Sequence, residues 1–229
     1  MIIPRAFLFL TAALFLIVPT MAQERSVRAV FFKRPPEMPE TAVLYHPATS
    51  IEVKLPPMNL SDPVTIPAGD QVFAILPQAP QAGDPIPPGA PQIKVPAAWQ
   101  RVILLFFSDP SNKVFPVRVL PVDASLDKFK PGDLLFYNLS TAEVGGTLGE
   151  AKFRIASGKS AIVKPSRTDS GDYPVVIDCL LPGDSRPRPL CRTTWRHDPE
   201  TRQLLFIVNA DDRPVPRIWS IPETITPPE

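Results

Sequence analysis

Four aspartates offer the most direct route to chemistry in this sequence. Asp169 and Asp172 share a polar stretch, and Asp211 and Asp212 are adjacent after an apolar run. Two carboxylates about 5–10 Å apart, one with a raised pKa, are what glycoside hydrolysis requires. A cluster of this kind can also ligate calcium, although the stretch around Asp169 lacks the ligand density of such a site. Aspartate equally favours turns, because its side chain bonds nearby backbone amides, and that explains all four without a reaction. Tryptophan offers a second chemistry. Exposed aromatic faces stack on sugar rings by covering their C–H surface. Trp99 follows Pro96-Ala97-Ala98, and Trp219 alternates with Ile218, so both are candidates to face outward. Trp195 has the strand parity of Cys191 and is assigned to the core. The candidate ligand-binding residues are therefore Trp99, Trp219, Asp169, Asp172, Asp211 and Asp212.

Other motifs fail on context. Gly158-Lys159-Ser160 matches the end of a phosphate-binding loop, but Phe153 occupies the position of its leading glycine. Strands flank it where a helix should follow, so it is read as a turn. Ser125-Leu126-Asp127-Lys128 fits a serine–lysine pair, but the partner motifs S-D-N and K-T-G are absent. The histidines, His46 and His197, stand far from any second ligand at metal spacing, whereas a zinc site needs three or four ligands. His197, beside a turn, is expected to face solvent. A serine–histidine–acid triad converges in space rather than in sequence, and no G-x-S-x-G elbow supports one. The reading assigns no catalytic residue, no metal and no cofactor.

Cys179 and Cys191 are the only cysteines. A hairpin centred near Ser185 places them opposite each other, and the expectation is a structural disulfide joining them. Such a bridge would contribute about 3 kcal/mol by the loop-entropy argument. The spacing is not that of a redox pair.

The segments that must position these residues begin after a targeting signal. Residues 1–5 carry one positive charge, residues 6–18 are apolar or small, and Pro19-Thr20-Met21-Ala22 ends in a small residue. This is the pattern of a secretory signal peptide over residues 1–22. It predicts a periplasmic or secreted protein. With Arg5 removed, basic and acidic residues balance at 23 each out of the original 24 and 23. A neutral chain has no field with which to recruit nucleic acid. After the signal, no apolar run approaches the ~20 residues of a membrane span, so no transmembrane segment is expected.

Proline is the compositional outlier, 32 of 229 residues. Helices do not tolerate that density, because each internal proline removes a donor and clashes with the preceding turn. The prolines separate short apolar runs, several of them alternating, as in Ile51-Glu52-Val53-Lys54-Leu55. Run 147–155 is read as one strand, and run 102–107, apolar throughout, as a buried one. Run 78–91 is rich in proline and is read as a stiffened connection.

The two halves resemble each other. Arg101 opens an apolar run followed by Asp109, and Arg202 opens another followed by Asp211. Proline-containing strands come next in both halves. Asn59-Leu60-Ser61 and Asn138-Leu139-Ser140 also match, as do the segments ending in Gly69 and Gly158. Both Asn-x-Ser triplets fit a glycosylation sequon, which a bacterial host would leave unmodified.

The predicted fold is all-β: two tandem β-sandwich, immunoglobulin-like domains with an internal duplication. The first occupies residues 23–122 and the second, carrying the disulfide, residues 132–222. A linker spans 123–131 and a flexible tail 223–229. The functional expectation is a non-catalytic binding or assembly module of the cell envelope, recognising a protein or polysaccharide. The alternative is a carbohydrate-active hydrolase or lyase using the loop carboxylates.

Overall fold

The computed structural model describes residues 25–81, 85–210 and 212–225. The expected signal segment, 1–22, lies outside the described residues. The chain is all-β, and among the described residues no helix is long and apolar enough to cross a membrane.

The first half contains β1 (Ser26–Phe31), β2 (Thr41–His46), β3 (Thr49–Lys54), β4 (Val64–Thr65), β5 (Gln71–Leu76), β6 (Gln92–Val95), β7 (Arg101–Ser108) and β8 (Val117–Asp123). The second contains β9 (Leu134–Asn138), β10 (Glu143–Leu148), β11 (Ala151–Ile155), β12 (Ser160–Val163), β13 (Gly171–Leu180), β14 (Arg188–His197), β15 (Thr201–Val208) and β16 (Arg217–Thr224). Run 147–155 is thus a hairpin rather than one strand. Gly149 turns it at a positive φ of 62°, and a side chain there would collide with Ser166 Oγ.

The first sandwich pairs sheet β4-β1-β7-β8 with sheet β3-β2-β5-β6. The second pairs β12-β9-β15-β16 with β11-β10-β13-β14. Strand for strand, the second order is the first advanced by eight. Both halves also contain one parallel pair at the same place, β1 with β7 and β9 with β15. The strands beginning at Arg101 and Arg202 correspond, as do the proline-containing strands after them. The other two matches do not. Asn59-Leu60-Ser61 lies between β3 and β4, whereas Asn138 ends β9; Gly69 follows β4, whereas Gly158 follows β11. Asn138 is fully buried and its amide donates to the carbonyls of Ala142 and Ile155, so it is a packing residue.

Three apolar cores lie in series. Val102, Leu104 and Phe106 face the first sandwich interior, and Leu205 and Ile207 face the second. The alternate residues of the same strands, Ile103, Leu105 and Phe107 with Leu204, Phe206 and Val208, form a third core between the sandwiches. The molecule is therefore a four-layer stack. Strands β7 and β15 are buried on both faces, which is why their sequences are apolar without alternation. Phe32 bridges the seam, its ring centroid 5.3 Å from that of Phe206 and 6.2 Å from Trp219.

The expected linker, 123–131, is part of this seam. Asp123 belongs to β8, and Ala124, Ser125 and Phe129 are buried. Residues 223–225 of the expected tail are part of the fold, and the rest of it, 226–229, lies outside the described residues. Strand β16 runs through Thr224, Glu223 is buried in an ion pair, and Ile225 is buried. Three of the strand prolines are placed where a missing donor costs little, while Pro174 lies in the central strand β13. Pro121, Pro189 and Pro222 lie in β8, β14 and β16, each at a sheet edge. The proline-rich run shields the outer face of the first sandwich, where Ile86 packs on Val43, Ala74, Leu76 and Ala90.

The expected disulfide is absent: both cysteines are free thiols. The β13–β14 hairpin turns near Asp184 rather than Ser185, which sets Cys191 opposite Ile177; beyond a bulge between Ile177 and Asp178, Cys179 faces Arg188. The two cysteines are consequently not cross-strand partners. Burial pushes both thiols up from their ordinary pKa. Trp195 packs with Cys191 against the core, as its parity required.

Two outcomes check this fold. Native alkylation is expected to modify half-buried Cys191 alone, with Cys179 reacting only on denaturation; mass spectrometry of the native and unfolded chain reads this directly. Because the seam core joins the sandwiches, thermal unfolding should be one transition. Phe206→Ala should lower stability by about 3–5 kcal/mol and move that whole transition. Independent domains would show two steps with only one displaced.

Candidate functional site

Three of the four aspartates expected to carry chemistry each have their own cation. Asp169 accepts from Arg167 at 2.8 Å, Asp172 lies 3.7 Å from Arg196, and Asp212 pairs with Arg217. Asp211 lies outside the described residues. Asp169 and Asp172 do share one surface depression with Glu150, beside Tyr173. Asp212 lies on a different loop, before β16. Neither tryptophan forms an open platform. Trp99 is half-buried against the first core, and its carbonyl accepts from Arg25 Nε at 2.9 Å. Trp219 is packed into the seam, with its indole Nε1 buried and unpartnered among the described residues.

The other motifs resolve into structure. Ser125 Oγ accepts the Gln100 amide at 3.0 Å, and Lys128 turns to Asp127. Gly158 adopts a positive φ of 70° in a turn, its amide donating to the Asn138 carbonyl. His197 is buried, contrary to expectation. It packs on Gly132, where a Cβ would stand 3.0 Å from its Cε1, and against the Tyr173 ring. Among the described residues, no group of acids, histidines and cysteines could hold a metal.

The polar feature built into the fold itself lies at the seam. Arg202, the second residue of β15, lies on its seam-facing side, and there a cation must be paired. Its Nε donates to Glu223 Oε2 at 2.7 Å. Its Nη1 donates to the carbonyls of Ala124 and Phe129, and the Phe129 ring lies 4.5 Å from its Cζ. Glu223 Oε1 accepts from Arg28 Nη1 at 2.9 Å, and Arg28 Nε donates to the Ser61 carbonyl at 2.6 Å. Glu223 therefore joins an arginine from each half. The Arg202 and Glu223 side chains are 1% and 4% exposed, against 29% for Arg28. Burial lowers the Arg202 pKa from its usual value, Glu223 opposes that shift, and Arg101 and Arg28 add to it.

These groups line a cleft of about 440 Å³. Arg101 lines it too, and its guanidinium has no hydrogen bond or ion pair among the described residues. Pro63 is the exposed apolar residue of the lining, and Ser26 and Thr224 contribute hydroxyls. Three guanidiniums thus face a single carboxylate. An arginine does not deprotonate in proteins, so it cannot act as a general base. Glu223, held by two of the arginines, is the one acid in the lining among the described residues. The cleft is suited to holding an anion.

Sequence reasoning missed this site, although it aligned Arg101 with Arg202. Both have the parity of the apolar residues that face the seam, and an arginine on a buried face signals a required partner. Compared with known proteins, the sequence matches no family model and no curated protein.

Removing one side of the buried pair leaves a charge uncompensated. Glu223→Ala should cost about 3–5 kcal/mol in chemical denaturation. The double variant Arg202→Met, Glu223→Leu should recover most of that loss, since it leaves no unpaired charge.

Proposed function

We propose that this chain is an exported, non-catalytic binding module of the cell envelope or exterior, holding a protein or polysaccharide partner. The observation that carries the reading is the seam cleft. It is lined by arginines and one committed carboxylate, and lacks the paired acid and base of a hydrolase. Export rests on the signal pattern of residues 1–22. Rigid stacking supports a binding role, because a pre-organised surface loses little conformational entropy on association.

The alternative is a hydrolase or lyase built on the depression that holds Glu150, Asp169 and Asp172. Its acids are exposed, and Asp169 and Asp172 are already paired with arginines.

An in-cell crosslinking pull-down from the native host, read for both protein and glycan, tests the proposal. A recovered partner, with no turnover of glycan or ester substrates by the pure protein, is the expected result. Turnover abolished by Asp169→Asn or Asp172→Asn would overturn it in favour of the enzyme.

A further inference from the structure

We propose that Arg101 is the anion-binding residue of the seam cleft and that its ligand is a carboxylate on a compact body, of the kind a uronic acid presents. This deepens the binding-module reading and rests on it. The argument comes from comparing the two halves. In the second, Arg202 stands directly across the β15–β16 ladder from Glu223. In the first, the β7–β8 ladder ends with Val102 opposite Asp123, so the residue facing Arg101 is Ala124, whose amide donates to the Arg101 carbonyl at 2.9 Å. Side chains at such cross-strand positions are neighbours. Where the second half presents a carboxylate to its arginine, the first presents a methyl group.

Arg101 consequently keeps a free planar fork, the geometry that binds a carboxylate through two parallel hydrogen bonds. Its surroundings favour an anion. Arg28 and Arg202 line the same cleft, and Glu223 offsets only one of the three charges. Pro63, exposed in the lining, offers an apolar surface against which the C–H face of a sugar ring can lie. The volume of about 440 Å³ falls in the range of small-ligand sites.

The test is calorimetric titration of the whole protein with trigalacturonate, with inorganic phosphate and with neutral maltotriose. Trigalacturonate should bind, more weakly as salt rises, and maltotriose should not. Arg101→Ala should weaken binding at least about tenfold while leaving thermal stability unchanged. Ala124→Glu, which gives the first half its own carboxylate, should suppress binding as well; if that variant does not fold, Arg101→Ala alone decides. Arg154→Ala, on the far outer sheet, should change nothing. No binding of trigalacturonate, binding indifferent to Arg101→Ala, or phosphate bound as tightly as the uronate would each overturn the proposal. A partner recovered equally well by Arg101→Ala would sink this inference and leave the binding module standing. Glycan turnover would sink the binding module itself.

Discussion

A strand buried on both faces has no side on which to display polar groups, and β7 and β15 are both such strands. Their inner residues fill the two sandwich interiors, and their outer residues meet each other across the seam. Each large apolar side chain so buried contributes about 1.5–3 kcal/mol relative to exposure. Phe206 and Leu204 would otherwise lie open to water. The seam is therefore a condition of the fold rather than an accident of two domains lying close together. It also explains why the connection between the halves is buried, since Phe129 is needed both to fill the core and to cover the Arg202 guanidinium.

The same constraint sorts the buried arginines. Arg25 is a fastener: it donates to the carbonyls of Trp99, Pro67, Gly69 and Pro96 and so ties the start of β1 to two turns. Arg202 is compensated by Glu223 and by two carbonyls. Both follow the rule that a buried charge must be paired and hydrogen-bonded. Arg101 is not bound by it: it occupies the position corresponding to Arg202 but is only half-buried. A charge in that position adds nothing that packing requires.

Much of the architecture was legible from alternation. Ile51 and Val53 point inward while Glu52 and Lys54 point outward, and β3 shows that pattern. The unbroken apolar run 102–107 announced burial on both faces, but periodicity cannot say what covers the second face. That information resides in the complementary run of β15, far along the chain. The disulfide failed for a local reason: the hairpin turns near Asp184 rather than Ser185, and in a loop this rich in turn residues composition does not mark the centre. His197 looked like a turn residue, yet Gly132 leaves room for the imidazole to pack inward. Glu223 was assigned to a tail because a single acid near a terminus resembles solvated chain. Its partners, Arg28 and Arg202, are brought to it only by the folded seam. The acids that did attract notice, Asp169, Asp172 and Asp212, each sit near an arginine that sequence distance disguised or left unremarked.

Charge arrangement then decides where recognition can occur. On the outer sheet of the second sandwich, Glu143 pairs with Arg154, Asp178 with Arg192 and Asp172 with Arg196. Such exposed pairs add about 0–1 kcal/mol each to stability, and their charges are already matched before any ligand arrives. The opposite outer sheet is shielded by the proline-rich run, and three edge strands carry proline, which hinders pairing with a foreign strand. On these two outer faces the charges are largely paired or the surface is shielded. The seam cleft is different because two independent constraints meet there. Packing needs Arg202 and Glu223 as a pair, whereas strand correspondence brings Arg101 to the same place without a matching acid. An uncompensated guanidinium beside a compensated one, held by strands that three cores immobilise, is a charge with a fixed address. That combination of excess charge and rigidity is what a selective anion site requires, and the protein obtains it from a difference between two otherwise corresponding halves.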